Sequence, residues 1–187
     1  MRKLSVLVAV FALSAIGAAN ASAAEFTAST EGALTAESNA NQVFKINGGA
    51  DSVVCTTIAV TGKAVKSGSA QEATVHYSNC TGPLGSPVDP FSATYLFTAG
   101  GTVHIVEEVT LKVKTILGTC HISVPKQTVS SVAYTNEAGG KVKIAPKVTK
   151  ITYTTTGFPC PAGGNDGTYE GNSVIGVTGG TASVDTP

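Results

Sequence analysis

The chain of 187 residues has no tryptophan, and aromatic side chains make up only 6% of it. Aromatic rings give rigid, flat contact area, so a sugar-stacking platform has little to be built from. Its single arginine is Arg2. Every later cation is a lysine, and the planar guanidinium fork that grips phosphates and base edges is missing. The formal net charge is +0, from 12 Lys+Arg against 12 Asp+Glu. Setting aside Arg2 and Lys3 leaves 10 basic against 12 acidic groups. A slightly acidic chain without arginine lacks the electrostatic footprint of a nucleic-acid-binding domain. There is no GxSxG elbow, P-loop, HExxH or calcium loop of EF-hand type, and no motif calls for a cofactor. No CxxC occurs, and cysteines spaced this widely lack zinc-ligand spacing. Helical signals are scarce: "EGALTAESNANQ" (31–42) has no apolar stripe and reads as loop and strand.

What is present begins with a leader. Arg2 and Lys3 precede the uncharged run "LSVLVAVFALSAIGA", and small residues follow at Ala21–Ala23. This is the pattern of a secretory signal peptide cleaved after Ala23 or Ala24. The run is short for a membrane span of about 20 residues, and no later stretch is long and apolar enough to cross. The expected organisation is a cleaved leader over 1–23 and one domain over 24–187, secreted and then extracellular or envelope-associated.

Charged residues are only 13% of the chain and glycine reaches 21 residues, a composition suited to strands and turns. In "VTLKVKT", Val109, Leu111 and Val113 share one face, while Thr110, Lys112 and Lys114 share the other. "DSVVCTTIAVTG" is apolar on both faces, with Val53, Cys55, Thr57 and Ala59 opposite Val54, Ile58 and Val60, and reads as a central strand. Gly100–Gly101 and Gly139–Gly140 sit between strand-like runs as hairpin signals. Val142, Ile144 and Val148 are apolar at even positions, but Ile151 and Tyr153 at odd ones. One face cannot stay buried through that change, so a bulge or bend is expected between Pro146 and Lys150. "TGPLGSPVDP" (81–90) and "GFPCPAGGNDG" (157–167) read as irregular loops. The whole predicts an all-β fold, a β-sandwich of immunoglobulin-like or jelly-roll-like kind.

The four cysteines are Cys55, Cys80, Cys120 and Cys160. An even number in a secreted domain indicates disulfides. Three connectivities are open, and the sequential one, Cys55–Cys80 with Cys120–Cys160, is favoured because it needs no crossing of the chain. Cys120 stands beside His121, but on a strand the two point to opposite faces, so they do not form a nucleophile–base pair. Nothing in the spacing brings His76, His104 and His121 together. Glu107 and Glu108, as neighbours on a strand, would also diverge. In "GGNDGTYEG", Asn165, Asp166 and Glu170 offer oxygen ligands to calcium, yet fall short of the usual 6–8; ordinary turn sequence is the preferred reading. The lysines of "LKVKT" and "KVKIAPKVTK" could form a basic stripe for an anionic envelope polymer, although a solvated face that keeps edges apart is the simpler reading.

The chain also carries, in order, "EFTAS", "VHYSNC", "CHISVPKQ", "VAYTN", "KVTKITYT" and "NDGTYEG". In these it resembles a family of uncharacterised small secreted β-rich proteins, numerous in high-GC Gram-positive soil bacteria. Members often carry a further cysteine pair; the matching neighbourhoods here, around Ala93–Tyr95 and Glu107, have none. That joint absence implies that those two pair with each other and that the four present here pair among themselves. The resemblance implies a fold and a destination and no activity. The expected function is that of a secreted, disulfide-stabilised, non-enzymatic binding or structural domain. A carbohydrate- or calcium-binding module, or a hydrolase with a dispersed site, is the alternative.

Overall fold

The computed structural model describes residues 23–185; the leader expected over 1–23 lies outside them apart from Ala23. In chain order the strands are β1 (Glu25–Ala28), β2 (Leu34–Ser38), β3 (Gln42–Ile46), β4 (Asp51–Thr61), β5 (Ser67–Gly68), β6 (Ala70–Thr81), β7 (Pro87–Val88), β8 (Phe91–Thr98), β9 (Val103–Ile105), β10 (Val109–Thr115), β11 (Gly118–Val124), β12 (Gln127–Val129), β13 (Val132–Glu137), β14 (Lys141–Gly157), β15 (Gly164–Glu170), β16 (Ser173–Val177) and β17 (Ala182–Asp185). Two short 3-10 turns, Asn47–Gly49 and Pro83–Gly85, are the helical elements among the described residues.

The strands form an all-β sandwich, with antiparallel sheets packed on a shared apolar core. In the largest sheet the hydrogen-bonded neighbours run β6, β4, β3, β15, β14, β11, β10, β7. The two-residue β7 then pairs back to β6 through Cys80↔Val88, so this path returns on itself. β8, β9 and β12 extend the sheet beyond β6. The first half of β14 belongs to a second layer, between β13 and β16, with β2 outside β16. A small third sheet joins β17, β1 and β5.

Alternation explains most of this. Val109, Leu111 and Val113 are buried, and Thr110, Lys112 and Lys114 are exposed. The glycine pairs at 100–101 and 139–140 turn β8 into β9 and β13 into β14. The 31–42 segment holds β2 and the first residue of β3. The register of β14 on β15 shifts between Val148 and Ile151, where Lys150 takes a φ of 61°. Inward side chains therefore change from even to odd numbers, as the sequence pattern required. Pro146 closes the β13 ladder, and pairing to β15 starts at Lys147. A residue without an N–H stands where β14 exchanges partners.

Three expectations need correction. β4 is central in its sheet, but its two faces are not both apolar. Val53, Cys55 and Ile58 are buried, and Thr56, Thr57, Ala59 and Thr61 are exposed. β6 changes face in step, from Val75 and Tyr77 to Cys80, so the register is the same at Cys55↔Cys80 and Ile58↔Tyr77. Asn79, at a φ of 52°, takes up the turn and donates from Nδ2 to Thr57 Oγ1 at 2.9 Å. The two long loops are also shorter than their composition indicates. β7 lies within 81–90, and the 157–167 run becomes strand at Gly164. Glu107 and Glu108 sit in the exposed bend between β9 and β10, not on a strand.

Candidate functional site: an interior cavity and a tyrosine relay

The cysteines pair as Cys55–Cys80 and Cys120–Cys160, and none is free among the described residues. Cys120 faces the core with Ile122, both buried. His121 stands on the other face of β11, opposite Lys112 and Thr156, so Cys120 has no base and no free thiol. His76 and His104 lie on β6 and β9, and each meets hydroxyls of neighbouring strands. His76 contacts Ser92 at 2.7 Å and Thr61 at 3.1 Å, and His104 contacts Thr128 at 2.8 Å.

The calcium candidates are on strand β15, not in a loop. Asp166 accepts from the Tyr153 hydroxyl at 2.8 Å and from the backbone N–H of Gly48. Those bonds hold its carboxyl below the usual range. Glu170 pairs with Lys45 at 2.7 Å, and that hydrogen bond lowers its pKa. Asn165 is exposed. Each carboxylate thus has a partner in the fold, and among the described residues no group of three or more His, Cys, Asp or Glu converges on a metal-sized site. The lysines do not join into one stripe. Lys112 and Lys114 are on β10, whereas β14 meets β11 only at 154–157, beyond its own lysines at 141–150. Lys114 pairs with Asp89, and Lys141 with Glu37.

A cavity of about 120 Å³ runs between the layers, walled by Val53, Ile58, Leu111, Val124, Ile151 and other apolar side chains. One stretch of wall is polar: Gln42, Tyr77, Tyr95, Tyr169 and Ser173. Gln42 is the buried polar residue of the core, 3% exposed. Its Nε2 donates to the carbonyl oxygens of Ala40 at 3.0 Å and Asn172 at 3.2 Å. Gly171 leaves it room, since a Cβ there would come within 2.2 Å of Gln42 Oε1.

Those two carbonyls fix the direction of everything that follows. With both amide hydrogens engaged, Oε1 faces inward and accepts from the Tyr169 hydroxyl at 2.6 Å. Tyr169 has then spent its one hydrogen, so Tyr77, 3.2 Å away, donates to it. Tyr77 in turn accepts from Tyr95 at 3.1 Å. The relay runs Tyr95 to Tyr77 to Tyr169 to Gln42 and ends with a lone pair on Tyr95 Oη. Burial raises the pKa of all three tyrosines, Tyr95 to about 12. They are therefore neutral hydrogen-bonding groups. Nothing local marked this relay in the sequence, because its members lie on β3, β6, β8 and β15 and meet only through tertiary pairing.

No protein family, no curated protein and no solved structure matches the chain. No helix among the described residues is long and apolar enough to cross a membrane.

Proposed function

We propose that this is a secreted, non-enzymatic binding domain of the extracellular space or cell envelope, and that its interior cavity holds a small apolar molecule bearing one hydroxyl. The carrying observation is the relay, whose direction presents an acceptor to the cavity. Ligand sites are largely apolar with a few placed polar groups, and an apolar cavity of about 150 Å³ suffices for a benzene-sized guest. At about 120 Å³ this cavity is smaller than that, and a short aliphatic alcohol fits both the volume and the polarity. The walls carry tyrosine as their only titrating side chains, without histidine, carboxylate or lysine, which supports binding over catalysis. Two disulfides and a first strand beginning at Glu25, just past the expected cleavage site, support secretion. So does the resemblance to small secreted β-rich proteins.

Isotope-labelled protein titrated with 1-propanol and with xenon tests the site. 1-Propanol is expected to shift amides beside Tyr95 and Val124, and Tyr95→Phe to weaken 1-propanol, but not xenon, by roughly five- to tenfold. Equal loss for both, or no shifts with either, overturns the reading. The intact mass of the exported protein after thiol alkylation, starting at Ala24 or Glu25 and unlabelled, tests cleavage and the disulfides together.

A further inference from the structure

The large hydrophobic side chains that stand exposed among the described residues are Leu84, Ile116, Leu117 and Phe158, and Leu84 and Ile116 are as open as in an extended chain. They are far apart in sequence but share one end of the sandwich. β7 runs antiparallel to β10 with Val88 opposite Val113, which sets the 82–86 turn beside the β10–β11 tip at 116–117. β11 pairs with β14 at Cys120↔Gly157, and a Cβ on Gly118 would lie 2.4 Å from the Phe158 carbonyl oxygen. The third loop therefore abuts the second, and Cys120–Cys160 fastens it there.

Chemistry narrows what meets these tips. The three loops, "TGPLGS", "TILGT" and "GFPCPAGGN", contain no charged residue. The side chains project from three separate turns, whereas a protein partner would need a cavity matched to each. A fluid apolar layer accepts them at any spacing. The first charges behind the tip are Lys114, paired with Asp89, and then Lys112. At about 3.4 Å per residue they stand roughly 7 and 14 Å behind Ile116. Side chains inserted about 5–10 Å below the headgroup boundary would leave Lys114 among the headgroups and Lys112 in water.

We propose that this loop cluster inserts into the surface of a phospholipid bilayer. With one ion pair and one further lysine behind the tips, attachment is apolar in origin and nearly independent of salt. The chain's lack of tryptophan makes the test clean. Ile116→Trp introduces a single indole, and its emission is expected to shift to the blue on adding phosphatidylcholine vesicles, equally in low and high salt. Combined Leu84→Ser, Ile116→Ser, Leu117→Ser and Phe158→Ser should weaken vesicle co-sedimentation by about a hundredfold or more. Its melting temperature should be unchanged, since none of the four is in the core; Ile116→Ser alone gives a smaller loss by the same measurement. An unshifted emission, or binding abolished by salt, overturns the proposal. So does a concentration-dependent dimer that the combined variant dissolves, which would make a second copy the partner.

Discussion

All five tyrosines of the sequence sit in surroundings that raise their pKa, with burial the first cause in each. A group whose folded pKa lies above its unfolded value of about 10 contributes stability below that pH and loses it as pH rises. The folded protein should therefore show less phenolate absorbance near pH 10 than the unfolded chain. Above it, unfolding free energy should fall by about 1.4 kcal/mol per pH unit for each tyrosine still protonated only in the native state. Absorbance at 295 nm and far-UV circular dichroism, followed together, should change in one step; phenolate release before loss of structure would contradict this. Asp166 and Glu170 act in the opposite direction. Their folded pKa values are lowered, so what they contribute is present above about pH 4 and disappears as acid protonates them. Tyr134 differs from the relay tyrosines because its buried hydroxyl has no partner among the described residues, although its ring packs edge-on against Phe26 at 5.2 Å. Tyr134→Phe removes an unsatisfied group and keeps the ring, and is expected to raise the urea midpoint by about 1 kcal/mol equivalent.

Among elements, β10 was the most legible, because one face is buried and the other wet, and period two then says everything. The hairpins at Gly100–Gly101 and Gly139–Gly140 were legible for the same local reason, and so was the bulge at Lys150, where the pattern visibly slips. β4 and β6 were not. They change face together, from odd to even positions, but Val54, Ala59 and Val60 keep the β4 sequence apolar at both parities and β6 has only Cys80 after its switch, so the slip is masked in each sequence. β15 was hidden because "GGNDG" carries turn composition although its partners, β14 and β3, hold it extended. The cavity is a property of packing between strands distant in sequence, so no motif announces it. Where β11 meets β14 the backbones approach closely: Gly157, at a φ of 98°, would place a Cβ 2.2 Å from the Thr119 carbonyl oxygen. Gly157→Ala should cost about 1–3 kcal/mol, measured by urea denaturation, and should slow formation of the adjoining Cys120–Cys160 bond. A neutral substitution would mean that this crossing is slack.

For the whole molecule, the two disulfides differ in access. Cys55 and Cys80 are both buried, whereas Cys160 is partly open. Under native conditions a reductant should open Cys120–Cys160 first and leave Cys55–Cys80 until the chain unfolds, which timed alkylation and mass mapping would show. With a separation of 40 residues, removing Cys120–Cys160 by paired serine substitution is expected to cost about 4 kcal/mol.

The small sheet of β17, β1 and β5 sets the schedule of folding. β1 is the first described strand, yet its main ladder partner is the last described one, with Glu25 opposite Asp185. β3 likewise waits for β15, with Lys45 opposite Thr168. Neither contact exists until almost the entire chain has been delivered. Such distant pairings also make a β fold slow, milliseconds to seconds once complete. On the export proposed above, that delay keeps the polypeptide threadable until Ala182–Asp185 arrives, and the place of folding is decided by where β1 meets β17.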